Sequence, residues 1–462
     1  MSSTLASADS SESDALAEAN TKHTTRLPRV SDESSALRDD DSGTPPASAG
    51  QTTAILVASV VSAAASLIIT VLTARVLSVD DNAEFLVFWS LYFGIVGIIA
   101  GVQTESTRAV TASQLSTDRG AGARVQTAAL ILGLSVGAII AATSPLWLGV
   151  FLHRSSPWVV LAVVAGVVLS AGHFTTLGAL SGQKSWYTFA WLIGVEAIVR
   201  PIGALVAGLV LARALLPVQI SVVLPAAVWI LFCLFTTSGR GSFAARADVP
   251  LGKLLRNNIM TMLSSASWAL LVTGFPALLR ATGGDVDSGV LAGTILAITL
   301  TRAPIMIPLQ AVQGVAINKF THDQGRNLKV IFTFMAGVLG IGVIGGILAG
   351  LIGPWIIRAI YGSAYQVAPF TVGALTVAAA GMGWLVLTGA ATLGISAHRA
   401  YTGGWFIAAV CAFGIAALPL DLVTRAILAL GIGPLPGVAV HVITLVRHRR
   451  RLSSGQPATD LG

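Results

Sequence analysis

Residues 54–110 read AILVASVVSAAASLIITVLTARVLSVDDNAEFLVFWSLYFGIVGIIAGVQTESTRAV. Two apolar runs, 54–77 and 85–107, flank a short acidic turn that holds Asp80, Asp81 and Glu84. Each run exceeds the roughly 20 residues that cross about 30 Å of hydrocarbon at about 1.5 Å per residue. Backbone groups in lipid must be bonded within the segment, so both runs are expected to be membrane-spanning helices.

The pattern continues to residue 446. Twelve spans are predicted, at 54–77, 85–107, 125–152, 157–182, 186–212, 217–237, 255–279, 288–316, 328–353, 366–395, 400–419 and 422–446. The expected fold class is an all-α polytopic membrane protein. Composition agrees: of 462 residues 54% are hydrophobic, 48 are glycine and only 11% are charged, and the mean hydropathy is +0.79. Soluble, fibrous and disulfide-scaffold classes are excluded on that balance. Cys233 and Cys411, the two cysteines, lie inside apolar runs, which argues against a disulfide or a metal site.

Charge divides the chain. Residues 1–53 carry nine acids against four bases, are rich in Ser, Thr and Ala, and are expected to be a disordered acidic tail. No basic n-region with a short apolar core precedes residue 54, so the first span should remain as an uncleaved anchor. Alternate loops then collect bases on one side: Arg108, Arg119, Arg124, Lys184, Arg240, Arg246, Lys253, Arg256, Lys319, Arg326, Lys329, Arg399 and the cluster Arg447, Arg449, Arg450, Arg451. The other side has Arg75, Arg154, Arg213, Arg280, Arg358 and Arg425 together with Asp80, Asp81, Glu84, Asp285, Asp287 and Asp421. The basic side is expected to be cytoplasmic, placing both termini inside a cytoplasmic membrane.

An even span count with both ends on one side permits two six-helix halves related by an axis along the membrane normal. Shifting the sequence by 205 positions brings Arg75 onto Arg280, Asp80 onto Asp285, Asp118 onto Asp323, Gly120 onto Gly325 and Arg124 onto Lys329. The expected organisation is a tail (1–53), a first bundle (54–237), a cytoplasmic connector (238–254), a second bundle (255–446) and a basic tail (447–462). The connector region interleaves Phe243, Val249, Leu251, Leu254 and Leu255 with charges, which suits either an interfacial amphipathic segment or a solvated linker.

No hydrolase, nucleotide-binding or metal motif is present, so no catalytic residue and no cofactor is expected, and the chain reads as a non-enzyme with no nucleic-acid partner. Chemistry rests instead on charge inside the membrane, which costs about 2.5–3.5 kcal/mol per residue unless it is paired or faces a wet cavity. Arg200 stands near the middle of the fifth span beside Pro201, and Arg302 near the middle of the eighth before Pro304 and Pro308. Glu196 lies one helical turn before Arg200 and can neutralise it. Arg302 has no acid within a turn on its own helix; its counter-charge is either Glu196 from another helix or a bound anion. Arg108, with Glu105 and Gln103, either lines the inner mouth of a cavity or snorkels to headgroups. His173 is near the middle of the fourth span. Gly97 and Gly101, and Gly342, Gly346 and Gly350, form GxxxG steps that allow close helix approach. Pro276, Pro434 and Pro436 are candidate bends.

The stretch 54–110, with its short acidic loop and its Arg at the end of the second span, has an echo in residues 256–310, RNNIMTMLSSASWALLVTGFPALLRATGGDVDSGVLAGTILAITLTRAPIMIPLQ. In layout and texture over residues 54–446 the chain resembles the multidrug/oligosaccharidyl-lipid/polysaccharide flippase superfamily, and especially its Wzx-like polysaccharide branch. That resemblance implies two six-helix bundles in a V around a central cavity. It also implies alternating access that carries a polyprenyl phosphate- or pyrophosphate-linked glycan between leaflets, the prenyl tail running along a lateral groove. Arg200, Arg302 and Arg108 would meet the anionic headgroup, with Glu196 setting the charge balance. The implied partners are the anionic lipid-linked glycan, membrane lipids and cell-envelope polysaccharide enzymes. Two other functions fit the same layout: a MATE-like drug/cation antiporter, and a membrane scaffold that recruits envelope enzymes through its acidic tail.

Overall fold

The computed structural model describes residues 48–116, 122–210, 214–284, 286–302, 328–395 and 397–453. Residues 1–47, Asp118, Arg119, Gly120, Arg213, Asp285, Pro304, Pro308, Lys319, Asp323, Gly325 and Arg326, all used in the sequence reading, lie outside them.

The chain runs through α1 (Ala49–Val76), α2 (Val79–Ile99), α3 (Gly101–Leu115), α4 (Val125–Phe151), α5 (Trp158–Gly182), α6 (Trp186–Val210), α7 (Leu215–Val223), a 3₁₀ turn (Leu224–Ala227), α8 (Val228–Phe235), α9 (Thr237–Phe243), α10 (Leu251–Val272) and α11 (Phe275–Gly283). It continues through α12 (Ser288–Arg302), then α13 (Leu328–Tyr361), α14 (Pro369–Gly394), α15 (His398–Ala416), α16 (Leu422–Gly431) and α17 (Leu435–Ser453). No β-sheet forms among the described residues; one isolated antiparallel bridge joins Arg124 and Arg246.

Among the described residues ten helical stretches are long and apolar enough to cross a membrane, with α2–α3, α7–α8 and α16–α17 each counted as one, and α10 with α11, bent by 63°, brings the number to eleven when taken as one span. The expected count was twelve. The difference lies at the eighth span: α12 covers 288–302, and 303–316 falls outside the described residues. α1 begins at Ala49, so the last residues assigned to the tail are helical.

Helices in lipid gain little from burying apolar surface against one another, so close packing must hold them together. The glycine steps do this. A methyl built on Gly101 would stand 2.6 Å from the Met262 nitrogen, one on Gly97 2.8 Å from Ala269 Cβ, and one on Gly94 3.2 Å from Gly274 Cα. These contacts lay α2 and α3 directly along α10. Gly342, Gly346 and Gly350 likewise seat α13 on Ala380, Val377 and Pro369 of α14. Beyond its acidic first turns α2 is apolar and largely buried, with Phe85, Phe88 and Tyr92 fully buried and Phe88 stacked on Tyr92 at 5.9 Å.

The connector packs on the protein. Ala245, Ala247, Val249 and Leu254 are buried against Ala109, Val110, Val125, Ala128 and Ala179. Its backbone pairs with the start of α4 through Val125 N to Ala245 O (3.1 Å), Ala247 N to Ala123 O (2.8 Å) and Ala123 N to Val249 O (3.1 Å).

Candidate functional site

Arg200 and Glu196 face each other as the i,i+4 spacing requires, forming an ion pair in which both side chains are 14% exposed. Arg200 Nε also donates to the Val222 carbonyl at 3.2 Å, and the guanidinium carbon stands 4.9 Å over the Phe93 ring. Arg200 is thus neutralised on its own helix and braced against α7 and α2. His173 is buried on α5 and its Nδ1 has no hydrogen-bond partner among the described residues.

Arg302 is placed differently. Pro276 opens α11, and α10 stops at Val272 with Thr273 and Gly274 between them. A broken helix exposes carbonyls that lipid cannot satisfy. Arg302 Nη1 donates to the Val272 carbonyl at this break. Its Nη2 is buried with no partner among the described residues. It borders a small cavity of about 10 Å³ lined by Ile298, Thr301, Leu375, Ala379, Met382 and Leu430. Glu196 is engaged by Arg200, and no carboxylate among the described residues pairs with Arg302.

Arg108 joins neither. Its Nε and Nη2 donate to Glu105 at 2.8 and 2.7 Å, and its Nη1 and Nη2 to Asp248 of the connector at 3.1 Å each. Glu105, buried, also accepts from Asn257 of α10 at 2.9 Å. The geometry is a double fork that ties α3, the connector and α10 at the end carrying the basic loops. Sequence reading grouped Arg108 with Glu105 and Gln103 at a cavity mouth, or turned Arg108 to headgroups, and missed Asp248 and Asn257, since no local spacing connects them.

The opposite end, with the acidic loops, holds a second network absent from the expected site. Glu84 is 3% exposed, and its Oε1 accepts from Arg154 N (2.8 Å), Ser155 N (2.9 Å) and Ser155 Oγ (3.0 Å). Gln219 of α7 donates to Ser155 Oγ at 2.9 Å. Asn82 donates to Tyr365 Oη at 2.9 Å, and Arg75 to the Ile360 carbonyl at the same distance. Buried Arg425 donates to the carbonyls of Thr282 (2.6 Å) and Ala416 (3.2 Å). Asp421, in the loop between α15 and α16, caps α16 by accepting from Thr424 N at 3.0 Å; bonds from Thr424 hold its carboxyl below the usual range.

An apolar groove of about 760 Å³ lies between α13, α14 and α16, with Gly346, Gly373, Gly381 and Trp384 among the residues that line it. Ala378 and Gly431 line it, while their neighbours Ala379 and Leu430 line the Arg302 cavity, so α14 and α16 form the wall between the two.

Uncharacterized protein Rv3630 of Mycobacterium tuberculosis (strain ATCC 25618 / H37Rv) is 32% identical over 381 residues, which is 81% of this chain and 87% of that protein. Uncharacterized protein Rv1510 of the same strain is 33% identical over 380 residues, with the same coverage. The chain belongs to the family of these mycobacterial proteins. No family model matches it.

Among solved structures, the fold is similar to one described as the inward-facing conformation of a multidrug resistance MATE family transporter of the MOP superfamily. That match has a TM-score of 0.63 at 16% identity over 86% of this chain and 96% of the other. A MOP superfamily transporter from Pyrococcus furiosus, described under "reverse polarity of binding pocket suggests different function", matches with a TM-score of 0.60 at 13% identity over 87% of this chain and 94% of the other. The chain therefore shares the fold of these transporters, the all-helical architecture that the sequence led us to expect.

Within this fold the four expected site residues occupy three separate places. Glu196 and Arg200 share one, Arg302 occupies the α10–α11 break, and Arg108 belongs to the basic-loop end.

Proposed function

We propose that the protein is a transporter that carries a polyprenyl phosphate- or pyrophosphate-linked glycan across the cytoplasmic membrane by alternating access, as in the Wzx-like branch, for envelope polysaccharide assembly. The observation that carries this reading is Arg302: an intramembrane guanidinium with Nη1 on a backbone carbonyl and Nη2 buried without a partner among the described residues. Such a group is costly to keep in a bilayer and suits an anionic headgroup. The apolar groove across the α14–α16 wall suits the hydrocarbon tail of the same molecule.

Mass spectrometry of lipids that copurify in mild detergent tests this. Arg302→Gln retains a donor for the Val272 carbonyl and removes the charge. Wild type is expected to enrich a polyprenyl-linked anionic glycan. Arg302→Gln should lose at least about tenfold of that enrichment, since a charge-assisted bond is worth about 1.5–3 kcal/mol. Bulk phospholipid alone, in equal amounts from both proteins, would overturn the proposal.

The likeness to a multidrug MATE structure favours drug/cation antiport as a second reading. That chemistry needs a carboxylate free to bind a cation or proton, whereas Glu196 is held by Arg200 and Glu105 by Arg108. Glu196→Gln should leave tolerance to cationic drugs unchanged in cells expressing the protein. A loss of tolerance would restore the antiporter reading.

A further inference from the structure

We infer that His153 is a proton-binding site that clasps the α4–α5 loop to α11, and that its protonation releases this contact. The ring is set between two groups with opposite demands. Its Nδ1 lies 2.8 Å from Arg280 Nη2 on α11 and 3.3 Å from Glu84 Oε2 on α2. Arg280 Nη2 also lies 3.3 Å from the other ring nitrogen. A guanidinium only donates, and a carboxylate only accepts.

A neutral imidazole has one bare nitrogen and one N–H. With Nδ1 bare, it accepts from Arg280, and the loop and α11 are joined. Adding a proton at Nδ1 converts the acceptor into a donor and places two cations in direct contact. Glu84 Oε2 is then the acceptor available on the other side. It is already aimed at the ring, because the three hydrogen bonds to Oε1 fix the carboxylate. Protonation therefore exchanges a bond between helices for an ion pair with Glu84, and Arg280 is expelled. The contact is present while the ring is neutral and is lost as pH falls.

The surroundings support a switch confined to this ring. Asp81 and Asp80, the nearest other acids on α2, are engaged by Arg154 at 3.2 and 3.8 Å. From α7 the approach is by neutral Gln219, through Ser155. Arg425 of α16 holds the same last turn of α11 through the Thr282 carbonyl. The His153 side chain is 46% exposed, so it exchanges protons with the surrounding water. α11 is a short helix after a 63° bend, and Arg425 keeps its last turn on α16, so losing the His153 contact parts the α4–α5 loop from α11.

This inference does not depend on the cargo, and its test reads a distance rather than transport. In the full-length chain with Cys233 and Cys411 replaced by Ser, spin labels at Pro157 and Ala281 report the separation of the loop from α11 between about pH 5 and pH 8. Wild type should shift from a short to a long distance as pH falls. His153→Gln should remain at the short distance throughout. Arg280→Gln offers a second route, since a neutral amide can still bond the protonated ring; its distance should also be independent of pH. A wild-type distance that does not move overturns the inference. So does a pH-dependent shift that survives in whichever of the two variants folds.

Discussion

Gly101→Ala will destabilise the protein, although glycine to alanine inside a helix ordinarily stabilises by about 0.5–1 kcal/mol. The new methyl has no room: it meets the Met262 nitrogen and the Thr261 carbonyl carbon and oxygen, each at 2.6 Å. These are backbone atoms of α10 and cannot rotate aside. α3 and α10 must separate, which strains the fork between Arg108, Glu105, Asp248 and Asn257 just beyond. Overpacking of this kind costs about 1–3 kcal/mol, and Gly101→Leu should reach or exceed the upper figure. Gly403 of α15 is the matched control, since nothing lies within 4 Å of a methyl placed there. Gly403→Ala should raise the apparent melting temperature in detergent while Gly101→Ala lowers it. Equal shifts for the two would show that α3 and α10 are not held in contact by these small residues.

The contrast explains what could be read from the sequence. Helix-forming runs, GxxxG steps and the Glu196–Arg200 pair depend on neighbours within a turn or two, so spacing reveals them. The partners of Arg108 and Glu105 are 140 and 152 residues away. His153 and Arg280 are 127 apart. Nothing local marks such pairs, and only the packing of α2 and α3 along α10 brings them together. Arg302 was hidden for another reason. Its partner is a main-chain carbonyl, which every residue possesses, freed at a break that Pro276 marked only as a candidate bend. The reading that its counter-charge is Glu196 gives way because the closer arginine takes that carboxylate.

Glu84→Leu should cost about 3 kcal/mol, and Glu84→Gln about 1 kcal/mol or less, in thermal unfolding of the detergent-solubilised protein. The side chain is buried, and its value to the fold lies in one oxygen. Oε1 satisfies two backbone N–H groups and a hydroxyl in the tight α4–α5 loop. Leucine leaves three donors without an acceptor, whereas the glutamine carbonyl can take over all three. Arg154 does not decide the difference, because its guanidinium is paired with Asp81 and survives either change. Loss of charge alone would make the two variants alike, so equal melting temperatures would refute the assignment to hydrogen bonding. The same comparison separates the two roles of this residue. Gln at position 84 retains the loop but offers no anion to a protonated His153, so the fold should persist while the distance between loop and α11 responds less to pH. Leu should instead loosen the loop at every pH, and the distance between loop and α11 should be long even where the imidazole is neutral.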